Sequence, residues 1–164
     1  MTTDTKKYSP KKIGFIGLGL IGGSIAKAIR LYYPDCELIA FDKNKEMLAL
    51  AVQDGAIDTA CSSIDEPFKN CAYIFLCAPI AYNAAYLHRL KELIGSGCII
   101  TDVGSVKTSI HKEAETLGLS GQFIGGHPMA GSEKSGYSNA KAHLIENAYY
   151  ILTPSSGVSE KKVA

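Results

Sequence analysis

Three glycines, Gly17, Gly19 and Gly22, stand at Gly-x-Gly-x-x-Gly spacing directly behind the apolar run Ile13 to Ile16. Each absent side chain has a chemical use. Gly17 permits a tight turn, Gly19 lets the backbone approach a pyrophosphate, and Gly22 allows the following helix to pack closely on the strand. The N–H groups around Leu20 and Ile21, at the positive end of that helix, would then face the anion, so no lysine is required there. A second apolar run, Glu37 to Phe41, ends at Asp42. This acid lies about 20 residues past the glycines, where a carboxylate accepts hydrogen bonds from ribose hydroxyls. The pattern predicts NAD. A carboxylate repels a 2′-phosphate, although the neighbouring Lys43 leaves NADP open.

A second group of residues could handle protons. Ala78-Pro79, Gly104-Ser105 and Gly126-His127-Pro128 each follow an apolar run and fall at the carboxyl ends of predicted strands, which share one crevice in an open α/β sheet. His127 is the histidine expected there, whereas His88, His111 and His143 fall on helical stretches and are expected to be solvated or partly packed. A neutral imidazole accepts a proton near neutral pH, as hydride removal from a carbinol carbon requires of a neighbouring base. Ser105 could orient the ring. On spacing alone, a His-Pro turn without chemistry weighs about as much as the catalytic reading.

These residues must be held by alternating strands and helices. The pattern predicts strands at Ile13 to Ile16, Glu37 to Phe41, Ala72 to Cys77, Cys98 to Val103, Gln122 to Gly126 and Tyr149 to Leu152, with a short edge strand around Thr59 to Cys61. Helices are predicted at Ser24 to Tyr33, Lys45 to Gln53, Tyr82 to Ile94 and Thr108 to Leu117, with a helical turn over Asn139 to Ile145. Pro67 interrupts the segment after the edge strand, and a last helix begins within Ser159 to Ala164. Residues 1–11 read as a polar tail, and residues 12–164 as one dinucleotide-binding domain. The expected fold is α/β, a doubly wound, mainly parallel sheet of the Rossmann type.

Composition narrows the function classes. A net charge of +1 suggests no nucleic-acid partner, and 46% hydrophobic with 20% charged residues is ordinary for a globular domain. No apolar run approaches the roughly 18 residues of a membrane span, and residues 1–12 carry no signal-peptide core, so a cytoplasmic protein is expected. Cys36, Cys61, Cys71, Cys77 and Cys98 are odd in number and form no C-x-x-C pair, which predicts buried, reduced thiols and no metal site.

Together, Gly17-x-Gly-x-x-Gly22, Cys77-Ala-Pro79, Asp102-Val-Gly-Ser-Val-Lys107 and Gly126-His-Pro-Met-Ala-Gly-Ser-Glu-Lys-Ser-Gly136 closely resemble the prephenate/arogenate dehydrogenase family of tyrosine biosynthesis, from Lys12 to Pro154. The last two motifs are the specific ones. The resemblance implies NAD-dependent oxidative decarboxylation of prephenate to 4-hydroxyphenylpyruvate, or of arogenate to tyrosine. It assigns His127 as acceptor of the hydrogen bond from the ring hydroxyl, Ser105 as its support, and Ser132 and Glu133 to the substrate side. Cofactor contacts are expected from Gly17, Gly19, Leu20, Ile21, Gly22, Asp42, Lys43, Cys77, Ala78, Pro79 and Gly104.

The family continues into a helical second domain that dimerises and supplies an arginine for a substrate carboxylate. The 164 residues do not reach it, and the crevice motifs offer only Lys107 and Lys134 as cations. Little turnover is therefore expected from these residues alone, and a homodimer through the second domain is expected of the whole protein. Two other readings remain: a related β-hydroxyacid dehydrogenase or reductase, which would use a later lysine, and an NAD-binding regulatory module without chemistry.

Overall fold

The computed structural model describes residues 10–163. The expected tail therefore lies mostly outside the described residues, although the Lys11 carbonyl already accepts from the Glu37 N–H at 3.0 Å. Seven strands form one sheet: β1 (Lys12–Ile16), β2 (Glu37–Phe41), β3 (Thr59–Cys61), β4 (Tyr73–Leu76), β5 (Ile99–Asp102), β6 (Phe123–Pro128) and β7 (Tyr150–Pro154). Their order is β3-β2-β1-β4-β5-β6-β7. The first six run parallel, through crossovers that include α1 (Leu20–Tyr32), α2 (Lys45–Gln53), α3 (Ile80–Lys91) and α4 (Thr108–Thr116). A short α5 (Glu160–Val163) follows β7. Because the order reverses between β1 and β4, their carboxyl ends part and leave a crevice.

Both faces of the sheet are covered, so its central strands read as continuous apolar runs. Ile39, Ile74, Leu76 and Ile100 belong to one buried layer with Leu87 and Leu90 of α3 and Ile110 of α4. Ile13, Phe15, Leu38 and Ala40 belong to the other with Ile25 of α1 and Leu48 of α2. In that second layer Phe15 and Phe75 stack across adjacent strands, their centroids 5.3 Å apart. The five cysteines are free. Burial raises all five thiols, Cys71 and Cys98 to about 12, which keeps them protonated and unreactive.

Several boundaries differ from the sequence reading. Helix α1 begins at Leu20, one turn before the expected Ser24, because Gly22 and Gly23 are packing positions inside it. A Cβ on Gly22 would lie 2.6 Å from the Gly17 carbonyl oxygen, and one on Gly23 2.7 Å from the Tyr137 ring. Helix α3 starts at Ile80, directly after Pro79, and ends at Lys91 rather than Ile94. Pro67 sits within a single 3-10 turn, Glu66–Phe68. The helical turn expected at Asn139 to Ile145 is a pair of 3-10 turns, Tyr137–Asn139 and Ala142–Leu144, packed on α1 and α2.

No crossover helix lies between β6 and β7, so β7 returns antiparallel, with His127 opposite Ile151 and Pro128 opposite Tyr150. The sheet is thus mainly parallel rather than wholly so. That pairing also draws β6 on through Pro128, past its expected end at Gly126.

Candidate functional site

The glycine turn is built as its spacing implies. Gly17 has φ +92°, and a Cβ there would stand 2.5 Å from the Ala78 nitrogen, so both backbone conformation and the proximity of the β4 exit require glycine. Gly19 caps α1 without a side-chain bond, and the first turn of the helix holds no acid. An added Cβ on Gly19 meets nothing within 4 Å and projects into open space, which is the arrangement a pyrophosphate needs.

Asp42 is fixed by backbone donors. Its Oδ2 accepts from the Leu18 N–H at 2.6 Å and its Oδ1 from the Asn44 N–H at 2.8 Å, which ties the end of β2 to the glycine turn. Each carboxylate oxygen keeps a second lone pair for a ribose hydroxyl. Gly17, Gly19, Leu20, Ile21, Asp42, Lys43, Cys77, Ala78 and Pro79 all line one cleft of about 540 Å³.

The cleft also contains residues to which the sequence assigned no cofactor contact: Phe41, Tyr82, Tyr86, Val103, Lys134, Ser135 and Gly136. Tyr82 and Tyr86, one helical turn apart on α3, make its far wall aromatic, with Tyr86 edge-on to Phe41 at 6.1 Å. Burial first, then the Asp42 carboxylate and Tyr82, raises the Tyr86 phenol above its ordinary range. The signal was available in an i, i+4 aromatic pair immediately behind Pro79.

The proton-handling residues lie at the carboxyl edge of β5 and β6 and do not line that cleft. β5 and β6 stay in register only through Thr101↔Ile124, after which β6 follows β7 alone. The buried Asp102 carboxylate spans the resulting gap. Its Oδ1 accepts from the Gly126 N–H at 3.2 Å and its Oδ2 from the Gly104 N–H at 3.1 Å, while Lys107 donates its ammonium to Oδ2. Asp102 appeared in the motif, but nothing in its spacing announced this role.

His127 sits in β6, directly after the carboxylate-bound Gly126, half-buried, with Nδ1 enclosed and without a partner. Ser105 makes no hydrogen bond to it. The loop is closed around Asp102 by Gly104 and Lys107, which leaves Ser105 exposed between them. Ser132 and Glu133 are likewise exposed, in the loop after β6. Lys107 is committed to Asp102, and Lys134 lines the cofactor cleft.

His111 is partly packed: its Nδ1 lies 2.9 Å from Ser155 Oγ, and its ring stands edge-on to Phe123. Its pKa is lowered by burial, with Asp102 opposing and Lys107 reinforcing that shift. Exposed His88 pairs with Glu113 at 2.7 Å.

Fold and cleft together define a dinucleotide-binding domain. A family model described as prephenate dehydrogenase, nucleotide-binding domain, matches residues 25–164, and the chain belongs to that family. It is 42% identical over 152 residues to the prephenate dehydrogenase of Bacillus subtilis, covering 90% of this chain and 40% of the relative. Among solved structures, arogenate dehydrogenase from Synechocystis superposes with a TM-score of 0.85 at 37% identity, covering 93% of this chain and 53% of that one. Prephenate dehydrogenase from A. aeolicus, in complex with hydroxyphenyl propionate and NAD+, gives 0.88 at 31% identity over 96% of this chain and 55% of that one. The chain thus spans about 40% of this curated relative's length and about half that of the solved ones.

Proposed function

We propose that this chain is the cofactor domain of an enzyme that oxidatively decarboxylates prephenate to 4-hydroxyphenylpyruvate, or arogenate to tyrosine, with NAD. The observation that carries the reading is the cleft, in which an uncapped helix N-terminus, the open space at Gly19 and a backbone-tethered Asp42 face one another. The NAD-bound relative from A. aeolicus supports the choice of cofactor. Bound there, NAD supplies the hydride acceptor.

His127 takes the proton of the substrate's ring hydroxyl as hydride leaves the same carbon. It returns the proton when loss of carbon dioxide makes the ring a phenol, so aromatisation drives the step and the protein mainly positions it. Ser105 supports His127 once substrate is present, and Ser132 and Glu133 face the substrate side. A carboxylate-binding arginine and the homodimer contact belong to a second domain, so residues 1–164 alone turn over little. The five unpaired thiols suit a reducing cytoplasm.

The test is NADH formation from prephenate and from arogenate in a protein carrying both domains. His127→Asn is expected to lower kcat about 10²- to 10⁴-fold while NAD affinity stays near wild type. A variant with wild-type kcat would mean that the base lies elsewhere and that Gly-His-Pro is merely a turn.

A further inference from the structure

The adenosine end of the cleft holds a cation in an unexpected place. Lys43 directly follows Asp42, the position from which a basic side chain can accommodate a 2′-phosphate. Its ammonium does not stay beside the ribose-binding carboxylate. It lies 3.9 Å from the centroid of the Tyr82 ring, on the first turn of α3 across the cleft. Lys43 is exposed and, among the described residues, makes no ion pair or hydrogen bond. Asp42 is meanwhile held by the Leu18 and Asn44 N–H groups. Carboxylate and ammonium, though adjacent in sequence, are thus held apart by different partners.

We propose that Tyr82 is a cofactor-specificity residue: by holding the Lys43 ammonium on its ring it withholds that charge from a 2′-phosphate and strengthens the preference for NAD over NADP. The proposal rests on the cofactor reading above. With the ring in place, a 2′-phosphate meets the Asp42 carboxylate uncompensated unless Lys43 leaves its aromatic partner. Without the ring, Lys43 is free to turn towards the ribose and pair with the phosphate. Any stacking of Tyr82 on the adenine is common to both nucleotides and cancels in the ratio of their affinities, which isolates the effect of the lysine.

The experiment is calorimetric titration of the 164-residue chain with NAD and with NADP, each variant reporting its own ratio Kd(NADP)/Kd(NAD). Tyr82→Leu should lower the ratio about two- to fivefold, the equivalent of losing one exposed cation–π contact. Tyr82→Phe keeps the ring face and should keep the ratio. Adding Lys43→Ala to Tyr82→Leu should bring the ratio back to the wild-type value or above it. A ratio unmoved by Tyr82→Leu, or a fall that Lys43→Ala fails to reverse, overturns the proposal while leaving the cofactor reading intact. A wild-type chain that binds neither nucleotide overturns both.

Discussion

The two sides of the β1/β4 switch point are finished to different degrees. On the β1-α1-β2 side the Gly17 N–H donates to the Phe41 carbonyl, the Asp42 carboxylate is bonded at both oxygens, and the residues enclose a definite cleft. On the β5-β6 side, His127 Nδ1 is buried without a partner, while Ser105, Ser132 and Glu133 are exposed and unconnected to it. Preorganisation is thus concentrated at the cleft proposed for the dinucleotide. On the proposed reading, the β5-β6 edge offers the His127 imidazole without a partner inside the domain. A helix start and a strand end are enough for a pyrophosphate and a ribose, because backbone N–H groups and one carboxylate do the binding. The proposed dianionic substrate would need fixed cations, and Lys107 is already held by Asp102.

Substitutions can break this contrast. The largest effect on folding should come from Gly17→Ala, which places a Cβ 2.5 Å from backbone at a φ of +92°, so a loss of about 3 kcal/mol or more is expected in chemical denaturation. Wild-type stability would mean that the turn can rearrange and that the cofactor side is less rigid than described.

Next comes Asp102→Ala, which strands Lys107 and the Gly104 and Gly126 N–H groups together. A loss on the order of 3 kcal/mol is expected from breaking such a pair, and a near-neutral result would show that the β5/β6 gap does not depend on the carboxylate.

The smallest effect concerns pH. His111 has its pKa depressed in the folded chain, so the unfolded chain binds the proton more readily; stability is fully present above the unfolded value of about 6.5 and is lost as pH falls through the folded one. The melting temperature should therefore decline modestly on acidification below that range, and His111→Gln should lessen the decline. An identical decline in the variant would assign the acid sensitivity to other groups.

The sequence revealed most of the fold because apolar runs and glycine stops mark buried parallel strands and their helices plainly. It revealed the cofactor side because glycine chemistry is local: turn, approach and close packing are each a property of one position. It did less well where an outcome depends on which strand pairs with which. The antiparallel return of β7, and with it the placement of His127 inside β6, is decided by a connection that forms no crossover helix. The Asp102 bridge depends on β6 leaving β5 at Ile124, a three-dimensional event with no local signature. Ser105 shows the same limit, since a motif match cannot say whether its hydroxyl reaches the imidazole.

The proposed dinucleotide site of residues 12–163 depends on the open space in front of Gly19. Calorimetry of the 164-residue chain with NAD, repeated on Gly19→Val, tests it most directly. The wild-type chain should bind one NAD, and the variant should bind none while melting close to the wild-type temperature, because an added Cβ there meets no protein atom within 4 Å and projects where the pyrophosphate is proposed to lie. Undiminished binding by Gly19→Val, or none by the wild-type chain, would contradict the claim.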